Sequence, residues 1–126
     1  MSGLSEDTLH KILQQIQTQA VNSQRALSVV RSQMQSKEKE RKILQLTMRE
    51  LETVPKDEDR MYRGVGKMFL QQPRATVESE HKKQDKALTD ELTNLSKKAK
   101  YLEKQFDEAN SQLKDIFHSQ QRQAAQ

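Results

Sequence analysis

From Leu9 onward, side chains at alternating intervals of four and three residues form one stripe: Leu9, Leu13, Ile16, Ala20, Ser23, Leu27, Val30, Met34, Lys37, Arg41, Leu44, Met48 and Leu51. Ten of these thirteen positions are apolar, which makes the stripe a coiled-coil seam rather than a chance alignment. Ser5 is a good N-cap for this helix, Glu6 and Asp7 place negative charge against its dipole, and Leu4 has staple spacing to Leu9. Pro55 disfavours helix for Val54, so the first helix is expected over residues 6–53. A second seam has no polar break: Leu88, Leu92, Leu95, Ala99, Leu102, Phe106, Ala109, Leu113 and Ile116. Pro73 fits the first turn of that helix, where a missing N–H costs nothing, so the second helix is expected over 73–119 with a frayed tail at 120–126.

Between the seams the pattern changes period. Met61-Tyr62-Arg63-Gly64-Val65-Gly66-Lys67-Met68-Phe69-Leu70 combines aromatic and β-branched residues with glycines, and predicts a β-hairpin over residues 60–71. Gly64 and Gly66 mark the turn region, with Gly66-Lys67 as a two-residue turn that sets Val65 opposite Met68, Gly64 opposite Phe69 and Arg63 opposite Leu70. Met61, Val65, Met68 and Leu70 then share one face, and Tyr62 and Phe69 the other. An isolated two-stranded hairpin is marginal in water, and the sequence offers no third convincing strand. The hairpin is therefore expected to pair edge to edge with other subunits.

Two helices of about 46 residues would each run to about 70 Å at 1.5 Å per residue, and their equal length suggests that they pair. If the chain reverses at the hairpin, opposed seam residues have numbers that add to 125 or 126. This sum sets Leu27 against Ala99, Ser23 against Leu102 and Ala20 against Phe106, so small residues fall opposite large ones. It also sets Arg41 against Asp85, two charges that interrupt their own stripes. The expected fold is mainly α, a single domain over 1–126, with a long antiparallel two-helix coiled coil and one β-hairpin between the helices.

Composition agrees with a narrow seam rather than a broad core: 33% of the 126 residues are hydrophobic, 4% aromatic and 32% charged. The net charge is +4, but Lys37-Glu38-Lys39-Glu40-Arg41-Lys42 alternates in sign, which argues against a phosphate track and hence against nucleic-acid binding. Cysteine is absent, which removes disulfides and thiolate metal sites. Met1-Ser2-Gly3-Leu4 lacks the basic and apolar regions of a signal peptide, and no apolar run reaches the roughly 20 residues of a membrane span, so a soluble intracellular protein is expected. No catalytic constellation is present, and two paired helices build no pocket of useful size. His10, His81 and His118 read as helix-surface histidines rather than metal ligands. Gly64-Val65-Gly66 is no dinucleotide fingerprint, because the position of the third glycine is Phe69. Neither a cofactor nor a metal is expected, and the chain is not expected to be an enzyme.

Asp59-Arg60-Met61-Tyr62-Arg63-Gly64-Val65-Gly66-Lys67-Met68-Phe69, followed by Lys97-Lys98-Ala99-Lys100-Tyr101-Leu102-Glu103-Lys104, resembles the β-type prefoldin subunits, in the pattern of the eukaryotic subunit 1 group. The likeness is good over about residues 55–118, while the first helix matches in pattern more than in identity. The resemblance implies a heterohexamer of two α-type and four β-type subunits whose hairpins join into β-barrel platforms. It also implies ATP-independent capture of nonnative proteins, notably actin and tubulin, and their delivery to the cytosolic chaperonin from a cytoplasmic location. Its implied assembly residues are Met61, Tyr62, Val65, Met68, Phe69 and Leu70.

Client binding is expected at the helix ends remote from the hairpin, where Leu4, Ile12, Val21, Val29, Tyr101 and Phe117 lie off the seam. Scattered surface apolar residues are the plainer reading of each one singly. The alternative function is a scaffold or tether whose hairpin docks one fixed partner.

Overall fold

The computed structural model describes residues 5–125. In chain order the elements are α1 (Glu6–Glu52), β1 (Arg60–Val65), β2 (Met68–Pro73) and α2 (Arg74–Ala125). The chain divides into two compact units, one of residues 34–94 and one of residues 1–33 with 95–126.

In the unit of residues 1–33 and 95–126, α1 begins as its sequence dictates. Ser5 caps it, its Oγ accepting from the Thr8 amide at 3.2 Å and its carbonyl from the Leu9 amide at 3.0 Å. Leu4, placed opposite Leu9 by the staple spacing, lies outside the described residues. The stripe becomes a buried line through Ala20, Ser23, Leu27 and Val30 on α1 and Ala99, Leu102 and Ala109 on α2. Small residues predominate there, and small side chains let two helix backbones approach closely while leucines fill the gaps. Outside the seam, Arg31 Nη2 meets Glu103 Oε1 at 2.6 Å. Their numbers add to 134, eight more than the seam sum. Helical side chains lean toward their own N-terminus, so in antiparallel helices an arginine and a glutamate lean toward one another along the axis.

Residues 120–125 are helical rather than frayed, so α2 outlasts its expected end at 119. Gln, Arg and Ala are strong helix formers, and no proline or glycine intervenes after Ile116.

In the unit of residues 34–94, the charged interruptions of the seam find the partners that the register assigns. Arg41 Nε donates to Asp85 Oδ1 at 3.2 Å, with both side chains partly buried, and these two numbers add to 126. Lys37 Nζ lies 3.0 Å from Glu91 Oε2 and 3.7 Å from Glu40 Oε2. Around these pairs Leu44 and Leu88 are buried. α1 stops at Glu52, one residue before the expected Thr53: Thr53 and Val54 already turn with tighter bonds to the Glu50 and Leu51 carbonyls, and Pro55 offers no donor.

The hairpin has the register that the turn demands, Val65↔Met68, Gly64↔Phe69 and Arg63↔Leu70, continuing to Arg60↔Pro73. Pro73 is thus the last residue of β2 and not the first turn of α2. The Arg74 amide donates to the Asp59 carbonyl at 2.8 Å, which extends the ladder one step and fixes its alternation. Pairs 59/74, 61/72, 63/70 and 65/68 exchange backbone bonds, whereas residues 60, 62, 64, 69, 71 and 73 turn their backbone groups outward. Proline at 73 therefore costs no ladder bond.

The coiled-coil register is open to a background-free test, because the chain lacks cysteine. Ala20→Cys with Phe106→Cys is expected to form an intrachain disulfide under mild oxidation, and Ala20→Cys with Leu113→Cys, one heptad away, is not. Efficient linkage only at the second pair would displace the register by that heptad. A second test concerns Lys37. The hydrogen bond that it donates to Glu91, then the Glu91 and Glu40 charges, hold its ammonium above the ordinary lysine value of 10.5. A raised lysine stabilises the fold fully below 10.5 and loses that contribution as pH rises through its raised value. Glu91→Gln is expected to lower the Lys37 midpoint in a side-chain NMR titration, and an unmoved midpoint would remove Glu91 as the cause.

Candidate functional site

The hairpin gathers chemistry that the rest of the unit of residues 34–94 does not use. Its turn needs glycine at one position only: Gly66 has φ 62°, in the region where a side chain is strained, and no non-glycine residue has positive φ among those described. A positive φ at the first turn position alone is the type II′ arrangement, which matches the twist of the flanking strands. Gly64, expected in the turn region, lies instead within β1. There a Cβ would sit 4.0 Å from Phe69 Cε1, so the ring of its cross-strand partner reaches the space that Gly64 leaves.

Five of the six expected assembly residues are exposed: Tyr62, Val65, Met68, Phe69 and Leu70, with Phe69 77% accessible. Met61 is the exception at 7%. It shares a face with Val65 and Leu70, but it sits at the foot of the strand and lines a groove with Leu51, Val54 and Val77. Its methionine body anchors the hairpin to its own helices, so its surroundings differ from those of the other five. Five large apolar side chains left in water within nine residues cost solvation that a partner surface would relieve, by about 25 cal/mol per Å² covered.

The outward backbone groups define where a strand can add. On β1 the Arg60 amide is already taken by Glu58 Oε1 at 3.2 Å, which leaves Tyr62 and Gly64. On β2 Pro73 has no amide, which leaves Phe69 and Gln71. Each edge thus presents about two residues of unpaired donors and acceptors, bounded at the helix end.

What holds this surface in place is Arg74, which the pattern of the sequence did not single out. Its side chain is 12% exposed. Nη1 donates to the carbonyls of Pro55 at 2.8 Å and Val54 at 3.2 Å, with a weaker contact to Glu58 at 3.5 Å, and Nη2 donates to that of Leu51 at 3.3 Å. Nε is fixed by Glu78 at 3.1 Å. The guanidinium therefore caps the end of α1 from the start of α2, meeting carbonyls that have lost their helical donors and the negative end of the dipole. A signal existed in the sequence: Pro55 implies carbonyls in need of donors, and Arg74 is the arginine that follows the hairpin.

The residues expected at the remote helix ends remain dispersed. Val21, Val29, Tyr101 and Phe117 are exposed, Ile12 is half-buried beside the seam, and Leu4 lies outside the described residues. Tyr101 Oη accepts from Gln105 Nε2 at 2.9 Å. Two further exposed apolar side chains, Ile43 and Leu46, were not singled out from the sequence, although lying off the stripe was their available signal. Among the described residues no group of three or more His, Asp or Glu side chains is placed to hold a metal ion, and no helix is long and apolar enough to cross a membrane.

Residues 14–120 match the family model described as prefoldin subunit. Among curated relatives, a probable prefoldin subunit 1 of Schizosaccharomyces pombe is 32% identical over 88% of this chain and 98% of its own length. Prefoldin subunit 1 of Arabidopsis thaliana is 27% identical over 93% of this chain and 91% of its own. The crystal structure of the prefoldin beta subunit from Thermococcus strain KS-1 superposes with a TM-score of 0.76, covering 92% of this chain and 96% of that one, at 22% identity.

Arg74→Ala is expected to cost about 2 kcal/mol in thermal or urea unfolding, as for buried hydrogen bonds from a charged donor, and to speed amide exchange in β1 and β2. Arg74→Lys is expected to recover less than half, because one ammonium cannot reproduce the planar fork. Full recovery by lysine would mean that charge alone, and not the fork, matters.

Proposed function

Because the chain belongs to the prefoldin subunit family, we propose that it is a β-type subunit of a hexameric, ATP-independent co-chaperone. The observation that carries this reading is the hairpin: Tyr62, Val65, Met68, Phe69 and Leu70 stand exposed on a two-stranded sheet to which, among the described residues, no third strand pairs. In this reading the hairpin joins those of two α-type and three further β-type subunits by strand addition. The complex holds nonnative chains, actin and tubulin among them, and passes them to the cytosolic chaperonin in the cytoplasm.

Client contact is assigned to Val21, Val29, Tyr101 and Phe117, with Ile12 and Leu4 as further members of the set. Exposed apolar side chains on a helix bind without sequence preference, because the helix backbone is internally satisfied and offers a client no register. Such contacts are individually weak, which suits repeated capture and release.

The two surfaces are separable by experiment. Phe69→Asp is expected to reduce incorporation into a complex reconstituted with the other prefoldin subunits by at least tenfold, read by native mass spectrometry. Val21→Ser, Val29→Ser, Tyr101→Ser and Phe117→Ser combined are expected to leave incorporation intact but to weaken suppression of aggregation of an unfolded client such as denatured actin. Normal assembly of the Phe69→Asp chain would reject the hairpin as the assembly surface. Unchanged suppression by the quadruple variant would reject the client assignment, and a complex that assembles but never slows aggregation would favour a tether.

A further inference from the structure

Sulfur in this chain is confined to methionine: there are five methionines and no cysteine, and no tryptophan competes for a mild oxidant. Two of the five stand on one face of the hairpin. Side-chain alternation and the pairs Met61↔Gln72 and Val65↔Met68 set Met61, Val65, Met68 and Leu70 on the same side. The surroundings of the two sulfurs are opposite. Met61, at the foot, is 7% exposed and lines the groove with Leu51, Val54 and Val77, whereas Met68, beside the turn, is 72% exposed and stands outside that groove. Met34 and Met48 lie half-buried along α1, so Met68 carries the one freely exposed thioether among the described residues.

We propose that Met68 is a reversible oxidation site that governs whether the free chain can assemble: a peroxide converts its thioether to a sulfoxide, the tip of the hairpin becomes polar, and reduction restores it. This rests on the reading of the hairpin as the assembly surface, and it adds a control on that surface. The chemistry is a two-electron oxygen transfer. The sulfur lone pair attacks a peroxide oxygen, the O–O bond breaks as the S–O bond forms, and hydrogen peroxide leaves as water, with no change in the charge of the chain. The return consumes two thiols, which become a disulfide and release water. The chain has no cysteine of its own, so a methionine sulfoxide reductase must supply them.

What the added oxygen does follows from its neighbours. Val65 across the strand pair and Leu70 two residues on are apolar and offer it no donor, and Arg63 beyond them lies 3.7 Å from Glu80. A strong acceptor carried into a covered apolar face without a donor opposes burial, and the sulfoxide also loses the adaptable apolar fit of a methionine. In the free chain the same oxygen costs little, because the side chain stands in water. Oxidation therefore leaves the chain folded and acts on association, and a chain already assembled through this face is shielded from the oxidant.

Limited hydrogen peroxide treatment of the full-length chain, followed by peptide mass spectrometry, is expected to oxidise Met68 at least tenfold faster than Met61. After removal of the peroxide, incorporation into the complex reconstituted with the other prefoldin subunits is expected to fall at least fivefold, with helix content unchanged. It is expected to recover after treatment with methionine sulfoxide reductases for both sulfoxide epimers and dithiothreitol. For Met68→Leu the ratio of incorporation with and without peroxide is expected to stay at about one, whatever the level reached without it, whereas Met61→Leu is expected to keep the full loss. Equal rates at Met61 and Met68, or an undiminished loss in Met68→Leu, would overturn the site. If Met68→Leu fails to assemble at all, the reductase arm decides alone: a loss that outlasts repair of the Met68 sulfoxide overturns the site. If chains oxidised at Met68 assemble normally while Phe69→Asp does not, the oxidation site is wrong and the assembly surface stands. If Phe69→Asp assembles as well, the assembly reading itself falls.

Discussion

One guanidinium decides where the first helix ends and the second begins. Pro55 removes a donor just after α1, and the carbonyls of Leu51, Val54 and Pro55 are left for a single side chain, Arg74, to collect from the far end of the hairpin. The interaction closes a loop of some twenty residues with charge-assisted hydrogen bonds, and Glu78 holds the guanidinium in the required orientation. From it follow the adjacency of the two helix termini and the backbone bond between Arg74 and Asp59 that starts the ladder. Every exposed residue of the hairpin is aimed from that base.

The antiparallel pairing has its own determinants within the unit of residues 34–94. Arg41 and Asp85 are each unfavourable in an apolar stripe, and a half-buried charge without its partner costs more than the pair returns. The pair is therefore better understood as a condition on register than as a source of stability: a slip of three residues in one direction would set Arg41 against Leu88 and Asp85 against Leu44. At the next interruption of the stripe the more exposed Lys37 meets Glu91 at 3.0 Å.

Local patterns were the legible part. Ser5, the four-three spacing and Gly66-Lys67 each act within a few residues, and their outcomes, the α1 cap, the buried stripes and the hairpin register, follow from the sequence directly. Arg41 with Asp85 was legible over 44 positions because one arithmetic constraint, reversal at the hairpin, joins the stripes. Arg74 was not, since its role depends on carbonyls some twenty residues away and no periodicity marks them. Pro73 was assigned to a helix start because proline suits that place as well as an outward-facing strand position; the ladder alternation decides between them, and it exists only once β1 and β2 pair. Met61 looked like its apolar neighbours on the strand, and only its nearness to Leu51, Val54 and Val77 separates it from them.

The hairpin and the outer helix surfaces expose similar side chains, yet they are suited to opposite kinds of binding, and the difference lies in the backbone. Behind Val29 or Tyr101 every amide and carbonyl is committed to the helix, so a partner gains only buried apolar area and can slide or turn at little cost. Behind Tyr62 and Phe69 the backbone is half committed, and burying those groups unpaired would cost about as much as the hydrophobic contact returns. A partner is accepted there only if it brings an extended strand in register, which converts general stickiness into selection. Exposed apolar surface thus becomes specific where it is coupled to unpaired hydrogen-bonding groups and remains permissive where it is not. This chain holds the two conditions on different secondary structures, the first on its hairpin and the second on its helices.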